Sequence, residues 1–185
     1  MKGTVVLGTC AALFLVVFSL SLFSQGAEKE TMPFGEKADV EFAEKLWKAM
    51  KGYQNWAMRT DVYPGKAPHG AFLRNYYNIV NVAGKSYHVI VKDNFGGQGA
   101  TLESVSASPA THLAAVTVML QREAGYDPDN NDWFWAKYKA DGTIDMNSEG
   151  MALAGRVAKG TDVGCIACHA DAEGGDLFFT NDKAE

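Results

Sequence analysis

Close to its C-terminal end the chain reads Cys165-Ile166-Ala167-Cys168-His169. This C-x-x-C-H pentapeptide constrains the fold more than any other feature. Two thiols three positions apart on one helical turn reach two points on the edge of a flat ligand, and the adjacent histidine falls beneath its centre. That is the attachment signature of c-type haem: the cysteines form thioethers with the vinyl groups, and His169 is the proximal iron ligand. The competing readings are a thioredoxin-like redox pair and half of a zinc site. A redox pair normally opens a helix after an early strand of a βαβ unit, whereas this motif lies near the C-terminus. No second Cys/His pair completes a zinc tetrad. The expectation is one covalently bound haem c per chain, held by Cys165, Cys168 and His169.

The rest of the chain must then enclose that group. Its 185 residues suffice for one domain of ordinary size plus something extra. Hydrophobic residues at 47% and charged residues at 21% give a globular composition, and a mean hydropathy of -0.14 excludes a polytopic membrane protein. A net charge of -5 argues against nucleic acid, whose phosphates need a basic face. Four Trp, seven Tyr and ten Phe can wrap a large flat ligand or build a dense core. Three cysteines cannot form a multi-disulfide scaffold.

The compartment is read from the N-terminus. Lys2 precedes an apolar run from Val5 to Phe23, and small residues follow at Ser24 and Gly26. A positive start, an apolar core and small residues at a cleavage point read as a secretory signal spanning 1–26. The run also reaches membrane-spanning length, so an uncleaved anchor through 5–23 is the alternative. Lipidation at Cys10 is disfavoured, because the apolar run continues well past it. Either reading places the remainder in the periplasm or otherwise outside the cytoplasm. Without Lys2 its charge is -6.

Residues 27–38 read as a linker and 39–185 as one haem-binding domain. Phe42, Leu46, Met50 and Tyr53 recur at helical spacing, with Asp39 as N-cap and Gly52 near the helix end. Pro64, Gly65, Pro68 and Gly70 punctuate a loop. Strands are predicted at 72–79, 87–92, 113–120 and 133–138 from period-two alternation and β-branched or aromatic content. Residues 96–99 and 125–128 read as turns, and 148–159 as a short helix. The fold class is α+β: a mainly antiparallel sheet, a helix before it and a short helix near the C-terminal motif.

Several stretches together resemble the cytochrome P-460 family, which includes the cytochromes c-prime-beta. They are Pro68-His69-Gly70, Lys85 to Asp93, Gly125-Tyr126-Asp127-Pro128, Asp132 to Tyr138, the Cys165–His169 motif and Asp176 to Thr180. The resemblance runs from about Tyr53 to Asn181. It implies a periplasmic, β-rich, often dimeric protein with a five-coordinate haem c. Some such proteins oxidise hydroxylamine and handle nitric oxide through a haem carrying an extra link to a lysine; others lack that link and bind nitric oxide reversibly beneath phenylalanines. The linked lysine ends a V-x-V-K strand, which aligns with Val89-Ile90-Val91-Lys92. Lys92 is thereby the candidate for a cross-link or a haem-edge contact. Asp93 stands where relatives frequently carry Glu.

On a strand His88, Ile90 and Lys92 share one face and Tyr87, Val89 and Val91 the other. The valine face reads as core, so the other is solvent or haem pocket. His88 is the weak distal candidate, as base or sixth ligand, and a surface histidine is the blander reading. His69 and His112 lie in or beside loops and have no better claim; Asp162 is merely the nearest acid in sequence. Phe72, Phe95 and Tyr76 can cap a pocket, although strand aromatics are usually core, and one of Trp133, Phe134 and Trp135 should pack against the haem or its wall. Asp127, Asp129 and Asp132 hint at calcium but do not match an EF-hand.

A common small electron-transfer cytochrome carries its motif near the N-terminus. Here only 16 residues follow His169, none of them Met or His, so a sixth ligand must come from earlier in the chain. The alternating segments contradict the four-helix c-prime bundle. Three functions remain. The first is a haem protein binding or oxidising a small diatomic or nitrogenous ligand such as nitric oxide or hydroxylamine, an oxidoreductase if it turns over, with a small redox protein as electron partner. The second is a six-coordinate electron carrier using His88, Met119, Met146 or Met151. The third is a haem subunit of a membrane redox complex. A His or Met within bonding distance of the iron favours the second.

Overall fold

The computed structural model describes residues 34–179, together with Met1 and Gly3. The apolar run, most of the expected linker, and Thr180 to Glu185 lie outside the described residues. Among the described residues no helix is long and apolar enough to cross a membrane.

Six antiparallel strands form one sheet in sequence order: β1 (Tyr63–Pro64), β2 (Phe72–Val82), β3 (Lys85–Phe95), β4 (Leu113–Gln121), β5 (Trp133–Lys139) and β6 (Ala154–Gly155). The four long strands fall where alternation predicts them, each extended by one to five residues. Hairpin β2–β3 closes through Ala83 and Gly84, both at positive φ, a two-residue turn whose twist matches the strands it joins. Helix α1 (Lys37–Ala49) lies on one face of the sheet. Its buried Ala43 and Leu46 meet Tyr76, Val80, Val89, Val91, Val116, Val118, Leu120, Phe134 and Tyr138 in the main core. The Tyr138 hydroxyl donates to the Ala43 carbonyl at 2.8 Å and ties sheet to helix.

Three local expectations need correction. Helix α1 begins two residues before Asp39, with Glu36 at the N-cap. Just upstream, the Gly35 N–H donates to Ala154 at 2.7 Å and Phe34 bridges Gly155, so the end of the expected linker is stitched to the sheet edge. The predicted helix at 148–159 is instead a turn and the short strand β6. Gly150, Gly155 and Ala158 adopt positive φ there, which interrupts any right-handed helix. The connection from β3 to β4 carries two unforeseen helices, α2 (Leu102–Ala107) and α3 (Pro109–His112). Thr101 and Ser104 cap α2 reciprocally, and Pro109 opens α3. The short C-terminal helix is α4 (Cys165–His169), the motif itself.

The sheet's second face carries the chemistry. Register aligns Asn75, Lys92, Thr117 and Lys137 in one row across β2 to β5, and Tyr77, Ile90, Met119 and Trp135 in the next. Helix α4 and the tail after it cover this face, packing Ile166 and Leu177 on Met119, Trp133 and Trp135. Gly164 permits the approach, since a Cβ there would stand 2.3 Å from the Ala158 Cβ.

Leu46 is wholly buried at the helix–sheet contact. Leu46→Ala is expected to lower stability by about 3 kcal/mol, and exposed Lys45→Ala by less than about 0.5 kcal/mol. Urea denaturation of the two variants checks the difference.

Candidate functional site

Helix α4 is a single turn, and its spacing sets Cys165, Cys168 and His169 on one side. The two cysteines are free thiols. Cys165 packs against the cluster of Met119, Trp135 and Ile166, and burial pushes its thiol up to about 11, so it is protonated at neutral pH. Cys168 is exposed. His169 is buried, at 6% exposure.

The His169 ring is oriented by the tail. Its Nδ1 lies 2.6 Å from the Leu177 carbonyl oxygen. A carbonyl only accepts, so Nδ1 carries the proton and Nε2 keeps the lone pair, as a metal-binding imidazole requires. Leu177 reaches this position at φ 59, a costly conformation for a branched side chain. Two further donors grip the same stretch: Asn131 Nδ2 reaches the Gly175 carbonyl at 2.6 Å, and Trp133 Nε1 the Asp176 carbonyl at 2.9 Å. Burial chiefly, with repulsion from Lys92 and His69, lowers the His169 pKa to about 4. The imidazole is therefore neutral at pH 7.

Aromatic rings surround it. Trp135 stands 4.7 Å from the His169 ring, Phe179 5.4 Å and His69 6.2 Å, centre to centre. Phe178 packs 6.1 Å from Tyr77 and lies 5.8 Å from Lys92 Nζ. The pocket's phenylalanines thus come from the tail. Phe95 and Phe72 belong to a separate cluster with Val62 and Val105, and Tyr76 to the main core. Trp135 is the aromatic of β5 that meets the site, and its buried Nε1–H has no hydrogen-bond partner among the described residues. Leaving such a donor unmet costs about 1–3 kcal/mol, which a bound acceptor relieves. A thiol pair with Cys168 exposed and Cys165 packed at the wall, an imidazole with its lone pair free, an aromatic wall and an unmet donor fit a haem.

Lys92 is 7% exposed, and its side-chain amine has no hydrogen bond or ion pair among the described residues. Burial lowers its pKa to about 8. The next residue, Asp93, points to the opposite face. Its carboxylate accepts from the Tyr53 hydroxyl at 2.5 Å and the Tyr76 hydroxyl at 3.0 Å, and burial raises its pKa. Asn94 returns to the site side and donates through Nδ2 to the Lys92 carbonyl at 2.9 Å and to Thr117 Oγ1 at 3.2 Å. Its Oδ1 accepts from His69 Nδ1 at 2.8 Å. Sequence reading gave His69 no preference, although it sits in the Pro68-His69-Gly70 stretch that carries part of the resemblance.

The other candidates lie elsewhere. His88 is exposed, four residues before Lys92 on β3 and so about 13 Å away along the strand. It borders an open cleft with Lys85, Gln121, Arg122 and Glu123. Asp162 and Met146 are exposed, and His112 ends α3. Met119 and Met151 belong to the cluster beside α4. Asp127 and Asp129 both bind Lys159, and Asp132 accepts from the N–H groups of Gly125 and Asp127. A lysine and backbone donors satisfy these carboxylates, and no group of three His, Cys, Asp or Glu suited to a metal ion occurs among the described residues.

The Lys92 shift has a definite sign. Below about pH 8 the folded and unfolded states both hold the proton, and the burial cost of the charge is carried in full. Between about 8 and the ordinary 10.5 the unfolded chain binds more protons, so stability rises with pH across that window. Lys92→Met is expected to raise the melting temperature at pH 7 and to flatten this rise. Thermal melts of both proteins from pH 7 to about pH 10 measure it.

No curated protein and no solved structure matches the chain. Cytochrome P460 matches it over residues 50–180, which takes in β1 to β6, α4, His69, Lys92 and the tail phenylalanines. That match implies a haem cofactor. The chain belongs to the cytochrome P460 family.

Proposed function

We propose that the protein is an exported monohaem c-type cytochrome that binds or oxidises a small nitrogen species, nitric oxide or hydroxylamine. The observation that carries this reading is the bond from His169 Nδ1 to the Leu177 carbonyl, which leaves Nε2 as the ligating nitrogen beside two free thiols. The apolar run at 5–23 supports export, by a cleaved signal or a retained anchor. A small redox protein is the proposed electron partner, and a homodimer the proposed assembly.

A bound haem would supply an iron able to take a small ligand. Cys165 and Cys168 would fix the group to the chain through thioethers, and His169 would hold its iron through Nε2. Buried Trp135 and half-buried Phe178 limit water at the site, which strengthens every polar interaction made inside. Lys92 serves as haem-edge contact or cross-link. Where it stays unlinked, its amine, lowered by burial to about 8, can hold and release a proton near neutral pH, which oxidation of hydroxylamine requires of its surroundings.

The test is an intact mass and an optical spectrum, ferric and ferrous, before and after nitric oxide. The expected result is covalent haem mass lost in the Cys165→Ser/Cys168→Ser double variant, with a spectrum that changes on adding nitric oxide. A broad ferrous band displaced to the red of ordinary haem c marks the Lys92 link and favours the oxidising enzyme. Sharp low-spin bands that nitric oxide never alters leave only the electron carrier, and a wild-type chain without haem mass refutes the whole reading.

A further inference from the structure

Strand β5 carries two tryptophans on the site face, and the fold treats their donors differently. Trp133 Nε1 donates to the Asp176 carbonyl at 2.9 Å. Trp135, two residues on and 2% exposed, keeps an Nε1–H that meets no acceptor among the described residues. Its ring packs on His169 at 4.7 Å, centre to centre. Lys137 follows after the same interval, so Trp135 and Lys137 leave the strand on one face, about 7 Å apart along it. The Lys137 amine lies 2.9 Å from Asp145 Oδ2, and its side chain is 35% exposed. An ammonium has three donors, and that carboxylate oxygen takes only one of them.

The Lys137 charge reaches the site. Burial dominates at both the Cys165 thiol and the His69 ring, and Lys137 opposes it at the thiol and reinforces it at the imidazole. The other amine of its row, Lys92, stands two strands away. A buried neutral donor beside a cation at the rim is what a carboxylate needs to leave water: the donor meets an oxygen and the charge offsets the anion. A haem has few other acceptors to offer. Its ring nitrogens are taken by the iron, and thioether sulfurs are weak acceptors. A molecule taken up by the iron binds trans to the imidazole, away from a ring packed on that imidazole. The carboxylates are left.

We propose that Trp135 Nε1 and Lys137 Nζ together receive one carboxylate of the bound haem, the indole by donating a hydrogen bond and the ammonium by an ion pair. The inference rests on haem attachment at Cys165, Cys168 and His169, as proposed above. Both side chains are binding residues for the cofactor, and neither takes part in chemistry at the iron. The assignment accounts for a fold that meets one of two neighbouring indole donors and leaves the other open.

The experiment is infrared spectroscopy of ferric holoprotein whose haem carboxylates carry a heavy carbon isotope, supplied as labelled aminolevulinate during growth, with intact mass as the check on haem attachment. The expected result is that one label-sensitive carboxylate stretch shifts in Trp135→Phe and in Lys137→Gln. It should stay in place in Trp56→Phe, a change in the core on the other face of the sheet. Lys137→Arg, which keeps the charge, should hold the band nearer its wild-type position than Lys137→Gln does. Where Trp135→Phe does not accumulate as holoprotein, the variants of half-buried Lys137 decide the matter. Carboxylate bands that match the wild type in both Trp135→Phe and Lys137→Gln overturn the inference. So does an equal shift in Trp56→Phe, which reports a general loosening instead. Either of these results, with covalent haem present, leaves the haem reading intact. A wild type without haem mass refutes that reading and this inference with it.

Discussion

The hydrogen bond from His169 to the Leu177 carbonyl is the constraint on which the rest of the site depends. It decides which nitrogen of a buried imidazole keeps a lone pair, and it does so with an acceptor that cannot exchange roles. Its maintenance explains an otherwise unfavourable tail. Leu177 adopts a left-handed backbone, and three consecutive carbonyls, of Gly175, Asp176 and Leu177, are each taken by a side-chain donor from a different element. The strain is held by the Asn131 and Trp133 bonds and by burial of Leu177 against Trp133 and Trp135. The same tail delivers Phe178 and Phe179, so one segment orients the ligand histidine and walls its pocket.

Residues 92 to 94 divide their charges across the sheet. Lys92 and Asn94 face the site and Asp93 faces the core, as period-two geometry demands. Lys92 and Asp93 cannot pair, because they point apart. Burial therefore acts on each separately, lowering the amine and raising the carboxyl, and both shifts run toward neutrality. Asp93 is accommodated by two tyrosine hydroxyls, one from the turn after α1 and one from β2. That bridge braces the strand directly behind Lys92.

Much of the fold was legible because its signals are local. Alternation in Tyr87 to Lys92 and β-branched runs in Leu113 to Leu120 mark strands wherever they sit in a chain, and the register follows from consecutive antiparallel neighbours. The helix at 148–159 was misread because an apolar, alanine-containing run says nothing about Ala158 or Gly155 adopting positive φ. Within the site, Cys165, Cys168 and His169 were legible because adjacency in sequence is adjacency on one helical turn. Lys92 was legible through its strand end and the resemblance. His69 was not, since its meeting with His169 spans a hundred residues and depends on where a loop lands on β3. Phe178 and Phe179 were hidden for the same reason: the tail's return under the sheet is a tertiary event.

Holding two neutral imidazoles together, one buried and one half-buried, is unfavourable unless something uses them. Each gives up hydration, and each is satisfied on one nitrogen only, His169 by Leu177 and His69 by Asn94. Burial is the main reason both pKa values fall to about 4, with the nearby Lys92 pushing the same way, so at neutral pH neither ring can relieve its free nitrogen by taking up a proton. A fold optimised for stability alone would fill this space with leucine or valine, as the opposite face of the sheet does with Val89, Val91, Val116 and Val118. Two unprotonated lone pairs beside an unmet indole donor form instead a donor and acceptor set held ready for a bound group. The sheet's two faces thus divide the work: one packs apolar side chains against α1 to supply stability, and the other keeps polar atoms unsatisfied where a haem would meet them.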